Sequence, residues 1–166
     1  MAGIALALSL FAGVLSAQSL PPPPPEFGVT EIADYRLNAD TFARFSRASH
    51  VIVAATHADA RFDRAPLFTP EILLSDDVLA AATALETRLR NEPVLAGAFV
   101  AADLTPHEYT KFTLGLIAAR LAYGFVKSGV LRSVPPGVHA DNVMFVGANL
   151  TEIGAVLKEL GIDTPP

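Results

Sequence analysis

The 166 residues predict an all-α protein, an irregular helical bundle of about four to six helices behind a signal peptide and a proline-rich spacer. Two observations predict it. Helix-start signatures recur down the chain from Asn38 onward, and the apolar residues that follow each start repeat at helical spacing. The expected organisation is residues 1–19 as signal peptide, 20–37 as spacer and extended lead-in, and 38–166 as a single helical domain.

The opening stretch, MAGIALALSLFAGVLSAQS, carries no charged side chain and is apolar from Ile4 to Leu15, followed by small and polar residues. That is the outline of a secretory leader, and the apolar run is short of the roughly 20 residues a membrane span needs. Cleavage after Ser19 places Ala17 at the −3 position, with cleavage after Ala17 as the alternative; an uncleaved leader would instead tether the domain to a membrane. No Lys or Arg precedes the apolar run, which is atypical of a leader. Five consecutive prolines in LPPPPPEFG then enforce extended chain and forbid helix, so this segment reads as a spacer. EFGVTEIADYRL is expected to continue it in extended form.

In LNADTF, Asn38 is placed to cap a helix, with Leu37 and Phe42 as its hydrophobic staple. Phe42, Phe45, Ser49, Ile52, Val53 and Thr56 then share one face. In LSDDVL, Ser75 is the expected cap and Leu74 pairs with Leu79, while Val78, Ala82, Leu85 and Leu89 form an apolar stripe that stops before Pro93. EPVLAGAFVAAD favours helix over strand. LTPHEY gives the strongest start: Thr105 as cap, Pro106 at the first helical position, Glu108 to complete a capping box, and Leu104 with Tyr109 as staple. The helix it opens is apolar round most of its circumference as far as Lys127, which places it in the middle of the bundle, and Gly129 follows as a stop. After the proline-glycine turn of VPPGVHADN, a short helix is expected from Ala140, and NLTE reads as a second capping box that starts a last helix at Asn149 and carries it to Gly161.

Composition narrows the function classes. Removing the leader leaves 147 residues, enough for a self-sufficient core, and those residues carry the whole net charge of −5. An acidic domain lacks the basic footprint that nucleic acid requires, so nucleic acid is not an expected partner. The absence of Cys excludes disulfides, thiolate metal sites and haem attachment through C-x-x-C-H. No nucleophile elbow and no glycine-rich phosphate loop is present, and no cofactor is expected.

Candidate site residues follow from histidines and from one arginine. HEYTK stops one residue short of H-E-x-x-H: position 111 is Lys, which is no zinc ligand, and Glu108 is assigned to the capping box, so the structural reading prevails there. His50 and His57 share a stripe on the first long helix, but two turns set them about 10.5 Å apart, too far to hold one ion directly. With Asp59 and Asp63 they are the candidate metal ligands of an alternative reading, a metal-binding protein or metal-dependent enzyme in which the fold gathers carboxylates with His50, His57, His107 or His139. Arg120 interrupts the most apolar helix in line with Thr113 and Lys127, which reads most simply as a polar seam facing solvent. Arg120 and Tyr123 are the ligand-binding candidates if that helix instead lines a site.

Two stretches, LTPHEYTKFTLGLIAARLAYGFVKSG and PPGVHADNVMFVGANLTEIGAVLKELG, resemble the C-terminal half of small exported bacterial proteins of uncharacterised function, over about a third of the chain. The resemblance implies a bacterial envelope or secreted setting and a helical fold, with no catalytic residues to transfer. The expected function is therefore a periplasmic, non-enzymatic module that binds a protein or a small apolar ligand.

Overall fold

The computed structural model describes residues 27–64, 67–69 and 77–162. The leader with its two cleavage sites, the polyproline spacer, and the Leu74 and Ser75 helix start lie outside those residues. The chain folds as an all-α bundle, and among the described residues there is no strand.

The helices are α1 (Val29–Ala33), α2 (Ala39–His57), α3 (Arg61–Arg64), α4 (Val78–Asn91), a 3-10 turn (Pro93–Leu95) running into α5 (Ala96–Ala102), α6 (Pro106–Lys127), α7 (Ala140–Ala148) and α8 (Leu150–Glu159). Helix α6 is the axis of the bundle, with α1, α2, α4 and α7 packed round it, and α2 carries α5 and α8 on its other sides. An axial helix must be apolar nearly all round. Accordingly Tyr109, Phe112, Leu116 and Ala119 are all but inaccessible. The central contact is aromatic: Phe45 of α2 stacks on Tyr109 and Phe112, with ring centroids 4.8 and 4.6 Å away.

Two starts are as expected. Asn38 accepts from the Thr41 N–H at 2.9 Å to open α2, with Leu37 and Phe42 both buried. Thr105 accepts from the Glu108 N–H at 3.1 Å with Pro106 leading α6, although the Glu108 carboxylate turns to Arg44, 3.7 Å away, rather than closing the reciprocal half of the box. Gly129 stops α6 in the left-handed region at φ +77°, where a side chain would be strained.

Several expectations are corrected. Helix α4, from Val78, is capped by Asp77, which accepts from the Ala80 N–H at 3.0 Å, and Val78 is exposed rather than part of the stripe. Asn149 makes no cap for α8; its amide donates to the Phe145 carbonyl at 2.8 Å, because α7 and α8 meet with almost no linker and the side chain closes the earlier helix instead. The polar seam on α6 does not exist as such: Thr113 is fully buried and Arg120 nearly so, and only Lys127 is exposed. Thr113 tolerates burial by donating to the Tyr109 carbonyl at 2.8 Å, so its polarity never reaches solvent.

The lead-in is part of the packed unit. Phe27, Ile32 and Leu37 are buried, and Val29–Ala33 is helical rather than extended. Residues after α1 are held by Asn142 of α7, whose Oδ1 accepts from the Leu37 N–H at 2.9 Å while its Nδ2 donates to the Tyr35 carbonyl at 2.8 Å. That buried amide supplies the donor and acceptor a neighbouring strand would otherwise provide.

Candidate functional site

Where α1, α4 and α6 meet, the chain assembles a charged cluster inside an otherwise apolar wall. His107, at the second position of α6, is wedged between two carboxylates from different segments. Its Nδ1 lies 2.7 Å from Glu86 Oε2 of α4, and its Nε2 lies 2.8 Å from Glu31 Oε1 of α1. Ionised carboxylates only accept, so both bonds are complete when both ring nitrogens carry protons. Lys111, one turn along α6, donates to the same Glu31 oxygen at 3.0 Å. Glu86, with a side chain 2% exposed, is also paired with Arg90. Phe27 stacks on the imidazole at 4.3 Å and covers one ring face.

Each member is placed by local structure. The i, i+4 spacing of His107 and Lys111 puts both donors on one side of α6, and the same spacing sets Arg90 beside Glu86 on α4. Glu31 is steadied from behind, since it also accepts from the Gly28 N–H at 3.2 Å. The imidazole of His107 and the ammonium of Lys111, both bonded to Glu31, hold its carboxyl down from 4.5 to about 2. Because the folded value is depressed, the associated stability is present above 4.5 and is lost as pH falls toward about 2. The difference in melting temperature between the wild-type chain and Glu31→Gln is therefore expected to be largest well above pH 4.5 and to shrink steadily below it; a difference unchanged down to about pH 2 would contradict this.

The histidines do not gather. His50 Nδ1 lies 2.7 Å from Glu159 Oε2 of α8, and His139 Nε2 lies 3.7 Å from Asp34 Oδ1, so His50, His107 and His139 share no carboxylate partner. Among the described residues, no three His, Cys, Asp or Glu side chains are grouped to hold a metal ion. Of the two carboxylates weighed with His50 and His57, Asp59 is bonded to Arg61 at 2.6 Å, while the Asp63 side chain lies outside the described residues.

His57 lines a cleft of about 220 Å³ together with Ile52, Val53, Phe62, Leu67, Phe68 and Leu160, and Thr56 and Glu159 line it as well. Arg120 is buried and engaged in an interaction. Tyr123 is half-buried, with the Lys127 ammonium 5.5 Å from its ring centre, and its ring lies so close to Gly147 of α7 that an added Cβ there would come within 2.8 Å. These contacts give Tyr123 a packing role between α6 and α7.

Sequence reasoning missed Glu31 and Glu86. Glu86 had a readable signal: it falls in line with Ala82 and Leu89 on the buried stripe of α4, where an acid has to be partnered. Glu31 had none, being 76 residues from His107 on a segment expected to be extended.

Comparison of the chain with protein-family models, with curated proteins and with solved structures finds no match in any of the three.

Proposed function

We propose that the chain is an exported, non-enzymatic binding module of the bacterial envelope, and that its ligand is a small apolar molecule held in the cleft between α2, the side chains of Phe62, Leu67 and Phe68, and the end of α8. The cleft is the observation that carries this reading: most of the side chains that line it are apolar, and His57, Thr56 and Glu159 line it with them. Binding pockets combine an apolar lining with a few orienting polar groups in this way. Its volume, about 220 Å³, exceeds the about 150 Å³ that admits benzene, so a single substituted ring is the matching size. A polar substituent on that ring would face Glu159, which already accepts from His50. Export rests on the charge-free apolar leader and on the resemblance to exported bacterial proteins. No helix among the described residues is long and apolar enough to cross a membrane.

Protein recovered from the periplasm is expected to have a mass lacking residues 1–19 or 1–17. In ligand-observed NMR with that material, indole and phenethylamine are expected to bind, and Val53→Trp, which fills the cleft from α2, is expected to abolish binding while leaving the far-UV circular dichroism unchanged. Binding that survives in Val53→Trp, or none to the wild-type chain at millimolar ligand, would sink the reading.

A further inference from the structure

The charged cluster at the foot of α6 has the form of a binding site with its ligand already in place. Two nitrogen donors, the His107 ring and the Lys111 ammonium, converge on one oxygen, Glu31 Oε1, at 2.8 and 3.0 Å. Behind the ring, Glu86 fixes its orientation through Nδ1, and Glu86 is itself almost inaccessible. A carboxylate bonded to the far side of the ring in this way holds the donor in place whether or not its acceptor is present. The acceptor, by contrast, rides on a five-residue helix that rests on the bundle through Phe27 on the imidazole and Ile32 against Ala82 and Leu114, with Asn142 holding the chain just beyond its end. A helix so short has little stability of its own and owes its place to these contacts.

We propose that His107 and Lys111 form a carboxylate-binding site that the chain fills with its own Glu31, so that an incoming carboxylate competes with α1 for the same donors. The ligand class is a small organic acid or the acidic side chain of a peptide. In the intact chain Glu31 is tethered and acts at an effective concentration in the millimolar range or above, so free acids displace it poorly. Release of α1 uncovers the donors. The site is separate from the apolar cleft and does not depend on the reading given to it.

The test removes the tethered carboxylate and supplies a free one. In full-length Glu31→Ala, sodium propionate at a few hundred millimolar is expected to raise the melting temperature by about 2–4 °C more than it does in the wild-type chain, with sodium chloride of matched ionic strength as reference. Adding Lys111→Met or His107→Ala to Glu31→Ala is expected to remove that excess. If Glu31→Ala does not fold, Glu31→Gln keeps the shape without the charge, and the same excess is expected there, reduced.

A synthetic peptide spanning residues 26–34, added to Phe27→Ala/Glu31→Ala, distinguishes the sources. At least tenfold tighter binding than propionate identifies a peptide-reading site, and equal binding identifies a site for small acids; either supports the proposal. An equal propionate effect in wild-type and variant chains, or an effect that persists in the double variants, overturns it.

Discussion

Replacing His107 with Ala is expected to destabilise the chain by about 3 kcal/mol, the scale of leaving a buried carboxylate short of a hydrogen-bond partner. The argument starts from Glu86, which is 2% exposed and keeps only Arg90 once the imidazole is gone. Arg90 is itself 42% exposed, so water shares in its neutralising role and the remaining pair cannot make up for the missing donor. Two further losses accompany this one: the Phe27 ring loses the surface it stacks on, and Glu31 loses the donor that ties α1 to α6. Hydrogen exchange should therefore show amides of residues 29–33 opening in His107→Ala well before those of α2 and α6. His107→Gln, which keeps one donor, is expected to lose less. Urea denaturation of the three proteins measures the order; a loss below about 1 kcal/mol in His107→Ala would mean that the cluster contributes little to stability.

The parts of the fold legible in the sequence were those decided within one turn of chain. Thr105 and Pro106 act on backbone groups three or four residues away, and Asn38 does the same, so the starts of α6 and α2 follow from local chemistry. Two of the readings that failed turn on a side chain with more than one lawful environment. Asn149 could cap the helix ahead of it or close the helix behind it, and it closes the one behind through the Phe145 carbonyl. Thr113 and Arg120 lie in line with Lys127 on a helix surface, but a line of polar residues does not state whether water or protein faces it. Burial of Thr113 is tolerable because the helix backbone itself satisfies the hydroxyl.

The charged cluster was less legible, because its partners are distant along the chain. His107 was the residue in LTPHEY with no part in starting the helix, and the structure supplies its role through Glu31, 76 residues before it, and Glu86, 21 residues before it. Lys111, which excluded a zinc motif, is the second donor to Glu31. A buried acid on the α4 stripe and an unexplained histidine at a helix start together define half of the cluster from sequence. The α1 half follows only from the packing of Phe27 and Ile32, which a polyproline-led segment gives no reason to expect.

The largest single loss is expected at the centre of the bundle, where Phe45→Ala should cost about 3–5 kcal/mol. Phe45 is fully inaccessible and its ring lies between those of Tyr109 and Phe112, so truncation removes both stacking partners' contacts and opens a void bounded by α2 and α6. Neither helix is free to close that void. Helix α6 is held on its other sides by α4 and α7, and α2 by α5 and α8, so relaxation is limited and the cavity cost is retained. Tyr109→Phe provides the contrast at the same place. It keeps the ring that stacks on Phe45 and removes only the hydroxyl that pairs with Ser49 Oγ at 2.9 Å. Ser49 is on α2, where its hydroxyl can turn back to a carbonyl of the preceding turn, so that change is expected to cost about 1 kcal/mol. If denaturation gave the two substitutions equal costs, the stability at this interface would lie in the buried hydrogen bond and not in the aromatic packing.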